Sequence, residues 1–257
     1  MTIVPLEIEI LIGLATGLVV GITGASGVLL VVPLLTMLMG TAMHTAVGTS
    51  LFVDVITPLF VAYSYYKRGN VNMRAAFWLA IGAIAGAQAG ALVANLFVPS
   101  KLMNIGFIAF LFVMAIAMWV KSYRPSLENT NVRLAEMNTR NRLITFGIGI
   151  LLGINSGLFG AGGGMMFLLV LIVVLKYPTK LAVGTSSLIM AMTAASGTIG
   201  YALHGSVDWS VGAIIAVAAV VSGLLGARLA NKVSEKILNR IVGVMFAAIG
   251  VLMVFLR

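Results

Sequence analysis

Two glycine-rich bends and two copies of one pentapeptide are the parts of this sequence best able to do chemistry. The first bend holds Gly21, Thr23, Gly24, Ser26 and Gly27; the second holds Asn155, Ser156, Gly157, Gly160, Gly162, Gly163 and Gly164. Successive glycines break a helix and leave backbone N–H groups without partners. A helix restarting after such a break offers those groups and the positive end of its dipole, which together seat an anion. Downstream of each bend stands Ala-Val-Gly-Thr-Ser, at 46–50 and again at 182–186. Thr49, Ser50, Thr185, Ser186 and Ser187 add hydroxyl donors without charge, suited to an oxyanion that must also leave. The competing reading of each is a hydroxyl satisfied by its own helix. No Lys or Arg lies near mid-segment, so a monovalent or transiently bound anion fits better than a tightly held dianion.

Asp54 is the acidic residue set within a hydrophobic segment. At the centre of a membrane helix Asp costs about 2.5–3.5 kcal/mol on insertion scales, so its presence marks function by default. It lies one turn from Thr49 and Ser50 and is expected to bind a driving proton or gate the site. Protonation would remove a repulsive carboxylate from beside an anion and couple the two ligands. The alternative is a structural ion pair or a cap near a kink at Pro58. At the equivalent place in the second half stands Met190, so the expected proton role is asymmetric.

These residues need a membrane to work in. Of 257 residues, 61% are hydrophobic and 9% charged, against about 25% charged in an ordinary globular domain. So few charges cannot cover a soluble surface, and the chain reads as an all-α polytopic membrane protein. With no Cys and two His, disulfides, thiol chemistry and multi-histidine metal centres are excluded, and no cofactor is expected. The net charge of +9 is explained by basic loops against an anionic leaflet rather than by nucleic acid. Met1 to Glu9 lacks Lys and Arg and carries Glu7 and Glu9, the wrong sign for a signal peptide, so no cleavage is expected.

Ten apolar segments are predicted as helices, at 8–23, 27–41, 45–66, 75–98, 102–120, 143–158, 164–175, 181–203, 210–231 and 241–256. A shift of 136 positions lays the second five on the first, with ten identities in thirty ungapped positions over 21–50 against 157–186. The expected organisation is a first transmembrane repeat at 1–120, a basic cytoplasmic linker at 121–142 and a second repeat at 143–257. Basic residues concentrate in opposite loops of the two copies: Lys67, Arg68 and Arg74 in one, Lys176 and Lys180 in the other. Under the positive-inside rule this makes the repeats inverted, with 14 of 16 basic residues inside and both termini outside. Each opening pair, 8–41 and 143–175, must then leave and return on one side, as a re-entrant hairpin or two short spans. Short, Gly-interrupted segments at matching places in two inverted halves point to a transporter binding site. Gly82, Gly86 and Gly90 recur every fourth residue and are assigned to helix packing. His44 and His204 are expected in outer loops, and Trp78, Trp119 and Trp209 as interfacial anchors.

The bends, the repeated Ala-Val-Gly-Thr-Ser and the two-half layout resemble the TauE/SafE sulfite exporter family, which includes toluene-sulfonate uptake permeases. The resemblance covers roughly 10–120 and 143–256. It implies secondary transport of sulfite or small organosulfonates coupled to protons, in the bacterial or archaeal plasma (inner) membrane. The resulting expectation is proton-coupled export of a small sulfur-containing anion. Its substrate-binding set is Gly24, Ser26, Gly27, Thr49, Ser50, Asn155, Ser156, Gly160, Gly162, Gly163, Gly164, Thr185, Ser186 and Ser187, with Asp54 taking the proton. The alternative is an anion channel or an uptake permease for a related oxyanion. One Asp, no Cys and two scattered His argue against a membrane enzyme.

Overall fold

The computed structural model describes residues 6–123, 139–160, 163–173, 175, 177–229, 240, 244, 247, 248 and 250–255, and among them there is no strand. The helices are α1 (Leu6–Thr23), α2 (Val28–Leu38), α3 (Met43–Tyr66), α4 (Met73–Phe97) and α5 (Ser100–Tyr123), then α6 (Thr139–Phe159), α7 (Gly163–Val173), α8 (Thr179–Ala202) and α9 (Trp209–Leu229). Nine of the ten predicted segments are therefore helices, with ends moved by a few residues. In the tenth, 241–256, the described residues are helical and the others lie outside the described set. Five of the described helices, α1, α3, α4, α8 and α9, are long and apolar enough to cross a membrane. Helix α5 runs to Tyr123 and α6 begins at Thr139, and residues 124–138 of the predicted linker 121–142 lie outside the described residues. Glu9 lies in the first turn of α1 and is buried.

Small residues fix the packing. A Cβ on Gly13, Gly17 or Gly21 of α1 would fall on the carbonyl oxygens of Ile215, Ala219 and Gly223 of α9, respectively. In the other half Gly149, Gly153 and Gly157 of α6 meet Leu79, Ala83 and Ala87 of α4 in the same way, and Gly82, Gly86 and Gly90 return the contact. Both ladders ascend together, so α1 runs parallel to α9 and α6 parallel to α4. Such stripes allow backbones to approach where no hydrophobic effect drives helices together. The packing role of Gly82, Gly86 and Gly90 holds; Gly21 and Gly157, grouped with the bends above, share it.

Thr49, near the start of α3, accepts a hydrogen bond from the Asp208 N–H just past α8, at 2.8 Å. Thr185, near the start of α8, accepts one from the Asn72 N–H just past α3, at 3.0 Å. Each helix thus starts where the other ends, and α3 and α8 are antiparallel. The turns after them match bond for bond: Gly69 N to Tyr66 O and Asn70 N to Tyr65 O in one, Gly205 N to Ala202 O and Ser206 N to Tyr201 O in the other.

These contacts place the ends of the opening pairs. Only four residues separate α2 from α3, so α2 ends on the face where α3 begins. That face also holds Asp208 and the starts of α9 and its parallel partner α1. With 11 residues, α2 is about 16 Å long, too short for a hydrocarbon core of about 30 Å. The ends of the first pair thus lie on one face of the bundle, and those of α6 and α7 on the opposite face, where Lys67, Arg68, Lys180 and Arg228 also lie.

Candidate functional site

The break between α1 and α2 is built by backbone geometry that only glycine adopts without strain. Gly24 has φ +65°, and its N–H closes α1 on Val20 O at 2.8 Å. Thr23 Oγ1 donates to Val19 O at 2.7 Å and accepts from the Ala25 N–H at 2.9 Å. The chain then restarts as α2, and its first free N–H groups meet a carboxylate. Gly27 N donates to Asp54 Oδ1 at 3.0 Å, and Ser26 Oγ donates to Asp54 Oδ2. Ser26 Oγ also accepts from Val28 N at 3.3 Å. Asp54 is 1% exposed. A carboxylate on the first amides of a helix satisfies otherwise orphaned donors and opposes the helix dipole. The start of α2 is thus capped by the side chain of Asp54.

The second break differs. Gly160 has φ +65°, matching Gly24, and α7 begins at Gly163; Gly162 lies outside the described residues. Where Asp54 would stand, α8 carries Met190, whose sulfur lies against Gly164. No carboxylate of α8 faces the start of α7. The two breaks also touch: a Cβ on Gly164 would come within 2.8 Å of Gly24 O and 3.0 Å of Ser26 N. Gly160 packs against Val47 of α3 and Gly24 against Val183 of α8, so each bend reaches across to the pentapeptide of the other half.

The hydroxyls divide into two groups. Ser50 donates to Val47 O at 2.8 Å, Ser186 to Val183 O at 3.0 Å and Ser187 to Val183 O at 2.8 Å, each within its own helix. Thr49 and Thr185 hold the loops of the opposite half, as described above. In both copies the preceding glycine, Gly48 or Gly184, makes room for that loop: a Cβ there would strike Ser206 O or Asn70 O. The Gly-Thr of the pentapeptide is therefore a latch between halves. On the basic face the latch is extended by Asn72 Nδ2, which donates to the Tyr177 phenolic oxygen at 3.1 Å. Burial pushes the Tyr177 phenol above its ordinary range, so it stays protonated at physiological pH.

Asn155 and Ser156 lie on α6 just before the second bend; Ser156 is buried, and Asn155 Oδ1 is buried without a partner. His44 belongs to the first turn of α3 rather than to a loop. Its Nε2 lies 3.1 Å from both Ala94 O and Val98 O, and Nδ1 2.9 Å from Ser100 Oγ, tying the α4–α5 corner to α3. His204 sits in the turn after α8, with Nδ1 2.8 Å from Gly200 O. Trp209 packs edge-on against Phe52, 5.1 Å between ring centres. The described bends are closed to the surface. Two apolar grooves, of about 480 Å³ beside Ile10, Leu14 and Val217 and about 190 Å³ beside Tyr63, Tyr66 and Met73, do not open on them. No group of three or more acidic, His or Cys residues able to hold a metal occurs among the described residues.

Sequence reasoning missed Asp208, Asn72, Thr16 and Thr57. The first two are the loop ends of the latch. The last two are threonines of α1 and α3 whose hydroxyls are fully buried without a partner. For the latch, Thr49→Val is expected to cost about 1–3 kcal/mol, because the Asp208 N–H loses its acceptor. Thermal unfolding in detergent checks this, with Thr49→Ser expected to remain near wild type.

Five helices long and apolar enough to cross a membrane, with two glycine breaks among them, mark a multi-pass membrane protein, and its relatives are membrane transporters. The chain belongs to the family described as sulfite exporter TauE/SafE, whose model matches residues 9–253. It is 30% identical over 246 residues to the probable membrane transporter protein YdhB of Bacillus subtilis, covering 96% of this chain and 99% of that one. It is 26% identical to the probable membrane transporter protein YunE of the same organism, over 96% and 97% of the two chains. A third relative, the probable membrane transporter protein MJ0441 of Methanocaldococcus jannaschii, is 29% identical over 93% of each. No solved structure matches the chain.

Proposed function

We propose that this protein is a secondary transporter that exports a small sulfur-containing anion, sulfite or an organosulfonate, in exchange with protons. In this reading residues 1–120 and 143–257 are inverted repeats joined by a basic cytoplasmic linker, 121–142. The antiparallel α3 and α8 and the hairpins on opposite faces support that arrangement. The face carrying Lys67, Arg68, Lys180 and Arg228 is cytoplasmic by the positive-inside rule.

The observation that carries the proposal is the carboxylate of Asp54 on the first amides of α2. It supports the reading of this break as a seat for an oxyanion, held through Gly27 N–H and the Ser26 hydroxyl. The α7 start faces Met190 and no carboxylate in that place, so when the Met190 side chain moves aside a soluble anion takes the seat, with Gly160, Gly162, Gly163 and Gly164 as its backbone and Asn155 and Ser156 beside it. When Asp54 is protonated, its hold on Ser26 and Gly27 weakens, and the first bend, from Gly24 to Gly27, can join the substrate. Backbone amides suit this task because they bind without a fixed cation and so also release. Thr49 with Ser50, and Thr185 with Ser186 and Ser187, carry the latches on the two faces. With both latches made the bends are enclosed; opening one at a time gives alternating access.

Transport by purified protein in liposomes tests this, across sulfite, sulfoacetate, other sulfonates and sulfate, with and without an imposed pH gradient. Gradient-dependent movement of at least one sulfur anion is expected. Failure to move any of them would refute the substrate class. Currents far above transporter turnover and indifferent to the gradient would make the protein a channel.

A further inference from the structure

At the start of α9, Trp209 packs edge-on against Phe52 of α3. A shift of 136 positions puts Met73, at the start of α4, and Leu188 of α8 in the matching places. No ring pair fills the space there. It is the apolar groove of about 190 Å³ lined by Leu59, Tyr63 and Tyr66 of α3, by Val71 and Met73, and by Leu188. Tyr63, Tyr66 and Met73 are each more than half exposed, so the groove opens outward from the bundle.

Its end differs between the halves as well. Where the second half has Leu203, the first has Lys67. Lys67 Nζ stands 4.6 Å from the centre of the Tyr63 ring, so a cation is held over one wall of the groove. Arg68 follows it, also exposed. Among the described residues no Asp or Glu shares this face: Glu7, Glu9 and Asp208 belong to the opposite one, and Asp54 is buried at the first break. With 24 residues, α3 is about 36 Å long. That exceeds a hydrocarbon core of about 30 Å and brings Lys67, at its end, to headgroup level.

We infer that this groove binds one anionic phospholipid, with an acyl chain against Leu59, Tyr63 and Leu188 and the phosphate on Lys67. A zwitterionic lipid suits the apolar wall equally but leaves the cation unbalanced. The lipid also reaches the latch on the basic face. Val71 and Met73 flank Asn72, whose N–H donates to Thr185 and whose Nδ2 donates to Tyr177. Val71 Cγ2 lies 3.0 Å from the Cβ position of Gly184, so this turn rests on the pentapeptide of α8. A chain lying across α3, the turn and Leu188 fits only while the three stay together. The bound lipid therefore favours the state with that latch made, as a ligand favours whichever state it fits better. The site is independent of the transported solute.

Thermal unfolding of the full chain in detergent tests the site, with phosphatidylglycerol, phosphatidylcholine or inorganic phosphate added at equal concentration. Binding to the native state stabilises it, so phosphatidylglycerol is expected to raise the Tm most. Lys67→Gln should weaken its apparent affinity about fivefold, the effect of one cation beside an anionic headgroup. Arg228→Gln should leave it unchanged, because α9 packs on Thr57 and Val61, on the other side of α3. Met73→Trp combined with Leu188→Phe restores the ring pair of the second half and should remove the phosphatidylglycerol effect. Hydrogen exchange at the Asn72 amide should slow with phosphatidylglycerol and not with phosphatidylcholine; unchanged exchange would overturn the hold on the latch. Equal Tm in the two lipids, an effect matched by phosphate alone, or equal losses in Lys67→Gln and Arg228→Gln would overturn the site. So would a phosphatidylglycerol effect that survives both Lys67→Gln and the double variant.

Discussion

Gly86→Leu is expected to abolish recovery of folded, monodisperse protein. A Cβ at Gly86 would fall on Ile150 O and within 2.8 Å of Ile154 N, both backbone atoms of α6. A flexible side chain could swing away; a helix backbone must translate. Overpacking that side chains can absorb already costs about 1–3 kcal/mol, and this one forces α4 and α6 apart along a shared stripe. In lipid the separated helices gain nothing from water exclusion in return, because association there depends on close packing. Gly86→Ala is expected to show the same defect in milder form, as a lowered Tm. The control lies on the same interface partner: Gly147 of α6 has nothing within 4 Å of its Cβ position. Gly147→Leu should therefore express and unfold like wild type, or slightly better, since Gly is the weaker helix former by about 0.8–1.0 kcal/mol relative to Ala. Size-exclusion profiles and thermal unfolding of the three variants read the result. Equal behaviour of Gly86→Leu and Gly147→Leu would refute the stripe as the source of α4–α6 packing.

The helices themselves were legible in the sequence because apolar runs are punctuated by residues with local meaning. Gly24 and Gly160 end helices, and Pro99 and Pro178 stand at helix starts, where a missing N–H removes no intrahelical bond. The duplication was legible for the same reason, since a fixed shift preserves both punctuation and pentapeptide. What the pentapeptide does was not. Thr49 and its donor Asp208 are 159 residues apart, and a hydroxyl that latches a distant loop has the same letter as one that binds substrate. The pairing became visible only when the fold brought each half's loop to the other's helix. Thr16 and Thr57 were hidden for a related reason: whether a threonine bonds its own helix depends on neighbouring backbones, not on its spacing. The Gly13–Gly17–Gly21 stripe, by contrast, was open to the period-four reading given to Gly82–Gly86–Gly90. Its member Gly21, and Gly157 of the Gly149–Gly153–Gly157 stripe, are instead grouped with the bends, because they border the polar residues there.

Asp54→Asn is expected to separate coupling from structure. Asn keeps the shape and an Oδ1 acceptor for the Gly27 N–H, so the start of α2 stays capped and the protein should still fold. It cannot take or release a proton. In proteoliposomes the accumulation of a sulfur anion driven by a pH gradient should therefore fall about tenfold or more, the range of a coupling free energy of 1–3 kcal/mol. Exchange of the same anion at equal pH on both sides should persist, because it moves no net proton. Asp54→Ala removes the cap as well, leaving Gly27 N–H and the Ser26 hydroxyl buried without acceptors. Loss of such a cap costs about 0.5–2 kcal/mol, so Ala should lower the Tm where Asn does not. The pair of variants divides the two jobs that one carboxylate performs at the break. In the proposed mechanism its charge closes the first bend, and protonation releases it. If Asp54→Asn accumulates anion as well as wild type under a gradient, Asp54 is a cap alone, and the coupling ion binds elsewhere.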